Sequence, residues 1–269
     1  MKQGSGLRIY AICYLVFLYA PVILLPVFAF NSGTIIAFPL QGFTLDWFRE
    51  LTAIPALHQA VKNSMIIAVS TSILATCLGI FAARAATRYS FPGKTGIMGM
   101  IMLPLVLPEI ILAVALLSVL LGIGLPLGLF TVILGHVLVC TPFCIAILNG
   151  AFLSLDKSLE EAAYDLGETK ISTFRLIILP LVMPGIISSL LISFTISLDE
   201  FIMAFFLAGS ETTLPLYIWS QLRFPAKIPV IMALGTILVL MSITLLATAE
   251  YFRRRGLAKI GATDTGGHV

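Results

Sequence analysis

The chain has 269 residues, 59% of them hydrophobic and 11% charged, with a mean hydropathy of +1.07 and a net charge of +3. Soluble domains contain roughly 45–50% apolar residues, so this composition excludes an ordinary soluble fold and points to a bilayer. The positive charge sits on the flanks of apolar runs, which excludes a nucleic-acid-binding protein.

Crossing hydrocarbon as a helix takes about 20 mostly apolar residues. Runs of that kind lie at about residues 10–30, 64–86, 97–122, 127–151, 180–208 and 229–252. No alternation of period two appears, so the reading is an all-α integral membrane protein and not a barrel. Residues 1–269 are expected to form one transmembrane domain of six spans, without a separate soluble domain or an internal repeat.

Lys2 and Arg8 precede the first run as they would a signal peptide. Its core is longer than that of a signal peptide and no small-x-small site follows, so it is expected to stay. With the N-terminus inside, Lys2, Arg8, Arg84, Arg88, Lys94, Lys157, Lys170, Arg175, Arg253, Arg254, Arg255 and Lys259 share one side; Arg49, Lys62, Arg223 and Lys227 face the other. Basic residues favour the cytoplasmic side, so both termini are expected there and the 31–63 loop outside. In that loop "FTLDWFREL" alternates aromatic and charged residues like an amphipathic surface helix, either a membrane-interface belt or a receiver for a substrate-binding protein.

Cys13, Cys77, Cys140 and Cys144 all fall within spans. Without nearby carboxylates or further Cys they read as small apolar residues and no metal site is expected. Between the second and third spans, "FPGKTG" holds Gly93, Lys94 and Thr95, but a phosphate-cradling loop needs a glycine where Arg88 stands. Residues 84–96 read as a basic anchor, and ATP binding by this chain is not expected.

Ionisable residues inside spans are costly and usually face a bundle interior or a wet cavity. The third span holds Glu109 after Pro104 and Pro108, the fourth His136, and the fifth Asp199 and Glu200. Counting about 1.5 Å per residue, Glu109 and His136 reach a common central layer. On the fifth helix, Ser188, Thr195 and Asp199 form one row, with Ser189, Ser193, Ser197 and Glu200 in the next. Such an arc either bonds neighbouring helices or lines a passage, and its two acids favour a passage. The candidate pathway residues are Asp199, Glu200, Glu109, His136, Thr195 and Ser193. An acidic lining suits cationic cargo, although buried acids also serve as proton relays or helix-pairing groups.

The polar 154–178 loop concentrates charge that the rest of the chain avoids. Asp156, Glu160, Glu161, Asp165 and Glu168 lie within it, and Leu159, Ala162, Ala163 and Leu166 recur at helical intervals. Ser158 and Glu161 have capping-box spacing, with Asp156 as an earlier cap. Gly167 then permits a left-handed turn or a close approach. Periodicity leaves two readings open, an interfacial helix or a helix with a shallow apolar surface of Ala162 and Ala163 that fits a partner's groove. After the last span, the tail "GATDTGGHV" reads as frayed.

The spelling Glu161-Ala162-Ala163, three residues, Gly167, nine residues, then Ile177-x-Leu179-Pro180 resembles the EAA motif of permease subunits of bacterial ABC importers. "FNSG", "QGFTLDWF", "LPE", "GHV", "TPF" and "SFTISLDEF" extend the likeness along the chain, towards the C-type permeases of spermidine/putrescine importers. The resemblance implies a type I importer fold with both termini cytoplasmic, in a bacterial inner membrane, and ATPase coupling through Glu161, Ala162, Ala163 and Gly167. It also implies a similar second permease, two ATP-binding subunits that hold the ATP and Mg, a periplasmic substrate-binding protein, and polyamine cargo. This chain would itself be no catalyst. The alternatives are a permease for another small solute, a membrane-embedded hydrolase using Glu109, His136 and Asp199, and a stand-alone channel. The hydrolase lacks a nucleophile or metal-ligand cluster, and the channel leaves the motif unexplained.

Overall fold

The computed structural model describes the backbone of residues 3–259 and the side chains of residues 6–244. Lys2 and the "GATDTGGHV" tail lie outside the described residues, as do the side chains of Arg253, Arg254, Arg255 and Lys259. Twelve α-helices carry the described chain: α1 (Gln3–Ala29), α2 (Asp46–Thr52), α3 (Pro55–Arg88), α4 (Lys94–Met102), α5 (Glu109–Gly122), α6 (Leu129–Leu153), α7 (Ser158–Asp165), α8 (Lys170–Thr173), α9 (Leu179–Asp199), α10 (Ile202–Leu207), α11 (Leu214–Gln221) and α12 (Ile228–Lys259). The stretches Gly6–Ala29, Pro55–Arg88, Leu129–Leu153, Lys170–Asp199 and Pro225–Thr244 are each long and apolar enough to cross a bilayer.

The expected third span is not one continuous helix. The chain bends by 106° between Lys94–Leu105 and Glu109–Gly122, and they make a sixth span only when the pair is counted together. Pro104 and Pro108 have no N–H to give; the α4 ladder closes in a tight turn at Leu103–Leu105, Pro108 itself is extended with φ −56° and ψ 127°, and α5 starts afresh at Glu109. The expected fifth span is also interrupted. Glu200 is extended, with φ −68° and ψ 119°, and α10 restarts beyond it.

The helices fall into two compact units. One joins Met1–Pro55 to Ile218–Val269, and in it α12 packs against α1 and α2. There the loop after α1 folds on itself: Trp47 Nε1 donates to the Asn31 carbonyl at 2.8 Å, Gln41 N–H donates to Asn31 Oδ1 at 2.9 Å, and Phe30 packs on Phe43 and Phe48. Glu50 of α2 pairs with Lys227 at 2.8 Å.

The other unit, Ala56–Tyr217, is built on α6 and α9. These helices run antiparallel, and residues 136, 140 and 144 of α6 meet 197, 193 and 189 of α9 in successive layers. Small residues allow the approach: a Cβ at Gly185 would stand 2.6 Å from that of Ala151, and one at Gly79 of α3 would stand 2.8 Å from that of Cys144. In hydrocarbon, close backbone packing and interhelical hydrogen bonds replace the hydrophobic drive that assembles soluble bundles.

Candidate functional site

The 154–178 loop places two faces of α7 in different surroundings. Asp156 Oδ1 accepts from the Ser158 N–H at 2.9 Å, which holds the Asp156 carboxyl below its ordinary range. This side chain therefore starts the helix, and the Ser158–Glu161 box expected from spacing is not formed. At the other end Gly167 has φ +86°, and the N–H groups of Gly167 and Glu168 return to the carbonyls of Tyr164 and Ala163. That pair of bonds closes the helix with a left-handed residue where a side chain would be strained.

On the inner face Glu160 accepts from Arg84 Nη2 at 2.9 Å and from Arg88 Nε at 2.8 Å, both from the last turns of α3. Partial burial opposes its charge, yet the two guanidiniums win and keep the carboxyl below the usual glutamate range. Arg88 also donates to the Leu155 carbonyl at 2.9 Å, and the Arg84 guanidinium stacks 5.3 Å from the Phe174 ring centre. Residues 84–96 are thus more than a basic anchor. Ala163 points inward and is 3% exposed, which corrects the expectation that it shares an outer surface with Ala162. Glu161, Ala162 and Gly167 are exposed, beside Leu166 at 86% exposure.

Along α9 the two polar rows separate. Ser189, Ser193 and Ser197 are buried against α6: His136 Nδ1 lies 2.7 Å from Ser197 Oγ, Cys140 Sγ donates to the Ser193 carbonyl, and Ser189 Oγ donates to that of Cys144. Ser193 and His136, expected on a passage, are 0% and 1% exposed, so they are seam residues. Ser193 Oγ donates to the Ser189 carbonyl and His136 uses Nδ1 on Ser197, whereas His136 Nε2 is buried without a partner, which is a cost. Ser188, Thr195 and Asp199 lie on the opposite, exposed face.

The acids at the helix breaks come together. Glu109 occupies the first turn of α5, Glu200 Oε1 accepts from the Met203 N–H at the start of α10, and the two carboxyls are neighbours. Each sits at the positive end of a half-helix, which favours an acidic side chain there. The sequence reading placed Glu109 in a layer with His136 and missed its meeting with Glu200. It also passed over Glu160, whose signal was the Arg84–Arg88 pair one helical turn apart on α3.

Interrupted spans, acids at their breaks and a polar helical loop with an uncovered apolar face define a solute-transport component of a membrane. The chain belongs to the family of binding-protein-dependent transport system inner membrane components, whose model matches residues 75–255. It is similar to the spermidine/putrescine transport system permease protein PotC of Haemophilus influenzae, 35% identical over 89% of this chain and 93% of that one. It is also similar to the putrescine transport system permease protein PotI of Escherichia coli, 38% identical over 83% and 82%. A chain of the crystal structure of a bacterial ABC transporter that imports the acidic polysaccharide alginate has the same fold, with a TM-score of 0.71, 21% identity, and coverage of 93% of this chain and 94% of that one. The chain is therefore a multi-pass inner-membrane permease, a transport component and not an enzyme.

Proposed function

We propose that the chain is the permease subunit of an ATP-driven importer of polyamines, cations of the spermidine and putrescine class. The observation that carries this reading is the similarity to permeases named for those cargoes over more than four-fifths of both chains. The single exposed acid of α9, Asp199, in one row with Ser188 and Thr195, supports it. Asp199 and Thr195 line the passage, the partly exposed Glu109 supplies a further acceptor at the helix break while the buried Glu200 holds the start of α10, and a similar second permease closes the other side. An ammonium group meets a carboxylate more strongly in a partly desolvated passage than in water.

Both termini and α7 face the cytoplasm, as the twelve-to-four distribution of basic residues supports. Glu161, Ala162 and Gly167, with the exposed Leu166, dock on one of two ATP-binding subunits. Ala163 packs the same helix from within. Those subunits hold ATP and Mg; this chain holds no cofactor. The 31–63 loop faces the periplasm and receives the substrate-binding protein. The test is uptake of labelled spermidine and putrescine by proteoliposomes containing the reconstituted complex with ATP inside. ATP-dependent accumulation that unlabelled polyamine competes away is expected; transport of other solutes with no polyamine uptake overturns the reading.

A further inference from the structure

We infer that Arg84 and Glu160 are positioning residues that make α7 move as one body with the end of α3 and with the turn that opens α9. The inference rests on the proposal that α7 docks the ATPase. Glu160 and Glu161 are neighbours about 100° apart on the helix, so one turns to the subunit's own frame while the other turns out. Glu161 is exposed, whereas the side chains of Glu160, Arg84 and Arg88 are 12%, 14% and 9% exposed.

An exposed ion pair contributes little and yields readily, but removing one partner from a pair this buried strands the other charge. Displacement of α7 therefore pulls on both arginines and through them on the last turns of the 34-residue α3. Arg88 ties in the turn that follows α6 as well, through the Leu155 carbonyl.

Arg84 adds a second connection. Its planar guanidinium binds the carboxylate with Nη1 and Nη2, at 3.4 and 2.9 Å, and stacks on Phe174. Lysine cannot make both contacts. Phe174 is the first residue of a π-turn, Phe174–Ile178, that leads directly into α9. A π-turn is a local departure from the α-ladder, found frequently at functional sites. One side chain thus joins the docking helix, a span, and the entry to the helix that carries Asp199.

The test uses the assembled complex with binding protein and compares wild type, Arg84→Lys and Glu160→Gln. ATPase-subunit retention, ATP hydrolysis and substrate moved per ATP are measured. Both variants are expected to keep the ATPase and hydrolyse ATP, while substrate moved per ATP falls about tenfold, equivalent to 1.4 kcal/mol. Spin labels at residues Ser158 and Tyr89 provide a second readout. Their separation is expected to stay constant between nucleotide-free and ATP-trapped wild type and to broaden in Glu160→Gln. Normal coupling in both variants overturns the inference. So does a wild-type separation that changes by about a helical turn, ~5.4 Å. Loss of the ATPase subunit from both variants also overturns it, by leaving these residues a docking or folding role only. Failure of the docking proposal itself has a different signature: Glu161→Lys would keep the ATPase subunit and normal uptake whatever the clamp variants do.

Discussion

His136 Nδ1 lies 2.7 Å from Ser197 Oγ in the buried seam of α6 and α9. With the Cys140–Ser193 and Cys144–Ser189 contacts below it, this bond assigns one row of the α9 arc to helix pairing. Replacing Ser193 by Leu forces a large side chain into a closed layer, which costs about 1–3 kcal/mol. Protein abundance and uptake are expected to fall together, with uptake per assembled complex unchanged, as quantitative immunoblots beside uptake assays will read.

Gly185→Leu acts on the same seam from its other end. Its Cβ alone would stand 2.6 Å from Ala151 Cβ. The thermal unfolding midpoint of the detergent-purified subunit is expected to drop, and a midpoint equal to wild type would contradict the packing of α6 on α9.

Glu160→Gln removes the charge that both arginines face, at a cost of about 1–3 kcal/mol. The folded-state carboxyl is held below its ordinary value, so the pair stabilises fully above the ordinary glutamate range and is lost as pH falls through the depressed value. The stability gap between wild type and Glu160→Gln is therefore expected to be flat from neutral pH down to the ordinary glutamate range and to close as pH falls below it. Thermal melts across pH will show it.

Topology is tested by labelling. In a background with the exposed Cys13 and Cys77 replaced, a cysteine at Ser210 is expected to react with an impermeant thiol reagent from the periplasm, and one at Ser158 is not. The reverse pattern inverts the proposed orientation.

The spans were legible because lipid imposes a length and composition that no local detail can hide. The interruptions were legible only in part. Pro104 and Pro108 announce the break before Glu109, whereas the break at Glu200 has neither proline nor glycine to mark it and depends on the carboxyl taking the Met203 N–H. A row of serines at four-residue spacing reads the same whether it bonds a neighbour or lines a passage. The facing Cys140, Cys144 and His136 on α6 decide it, some 45 to 61 positions away in sequence. The motif drew attention to Glu161, yet the arginines that give Glu160 its role lie 72 and 76 residues earlier, beyond the reach of any local pattern.

The most direct test of polyamine passage along the open face of α9 is ATP-driven spermidine uptake per assembled complex in Asp199→Asn. Asn keeps the shape and removes the charge, and the exposed position of Asp199 leaves the seam untouched. A lost contact of 1.4 kcal/mol is a factor of ten, so uptake is expected to fall about tenfold or more with ATPase subunits still bound. An Asp199→Asn complex that carries spermidine at the wild-type rate would contradict the account.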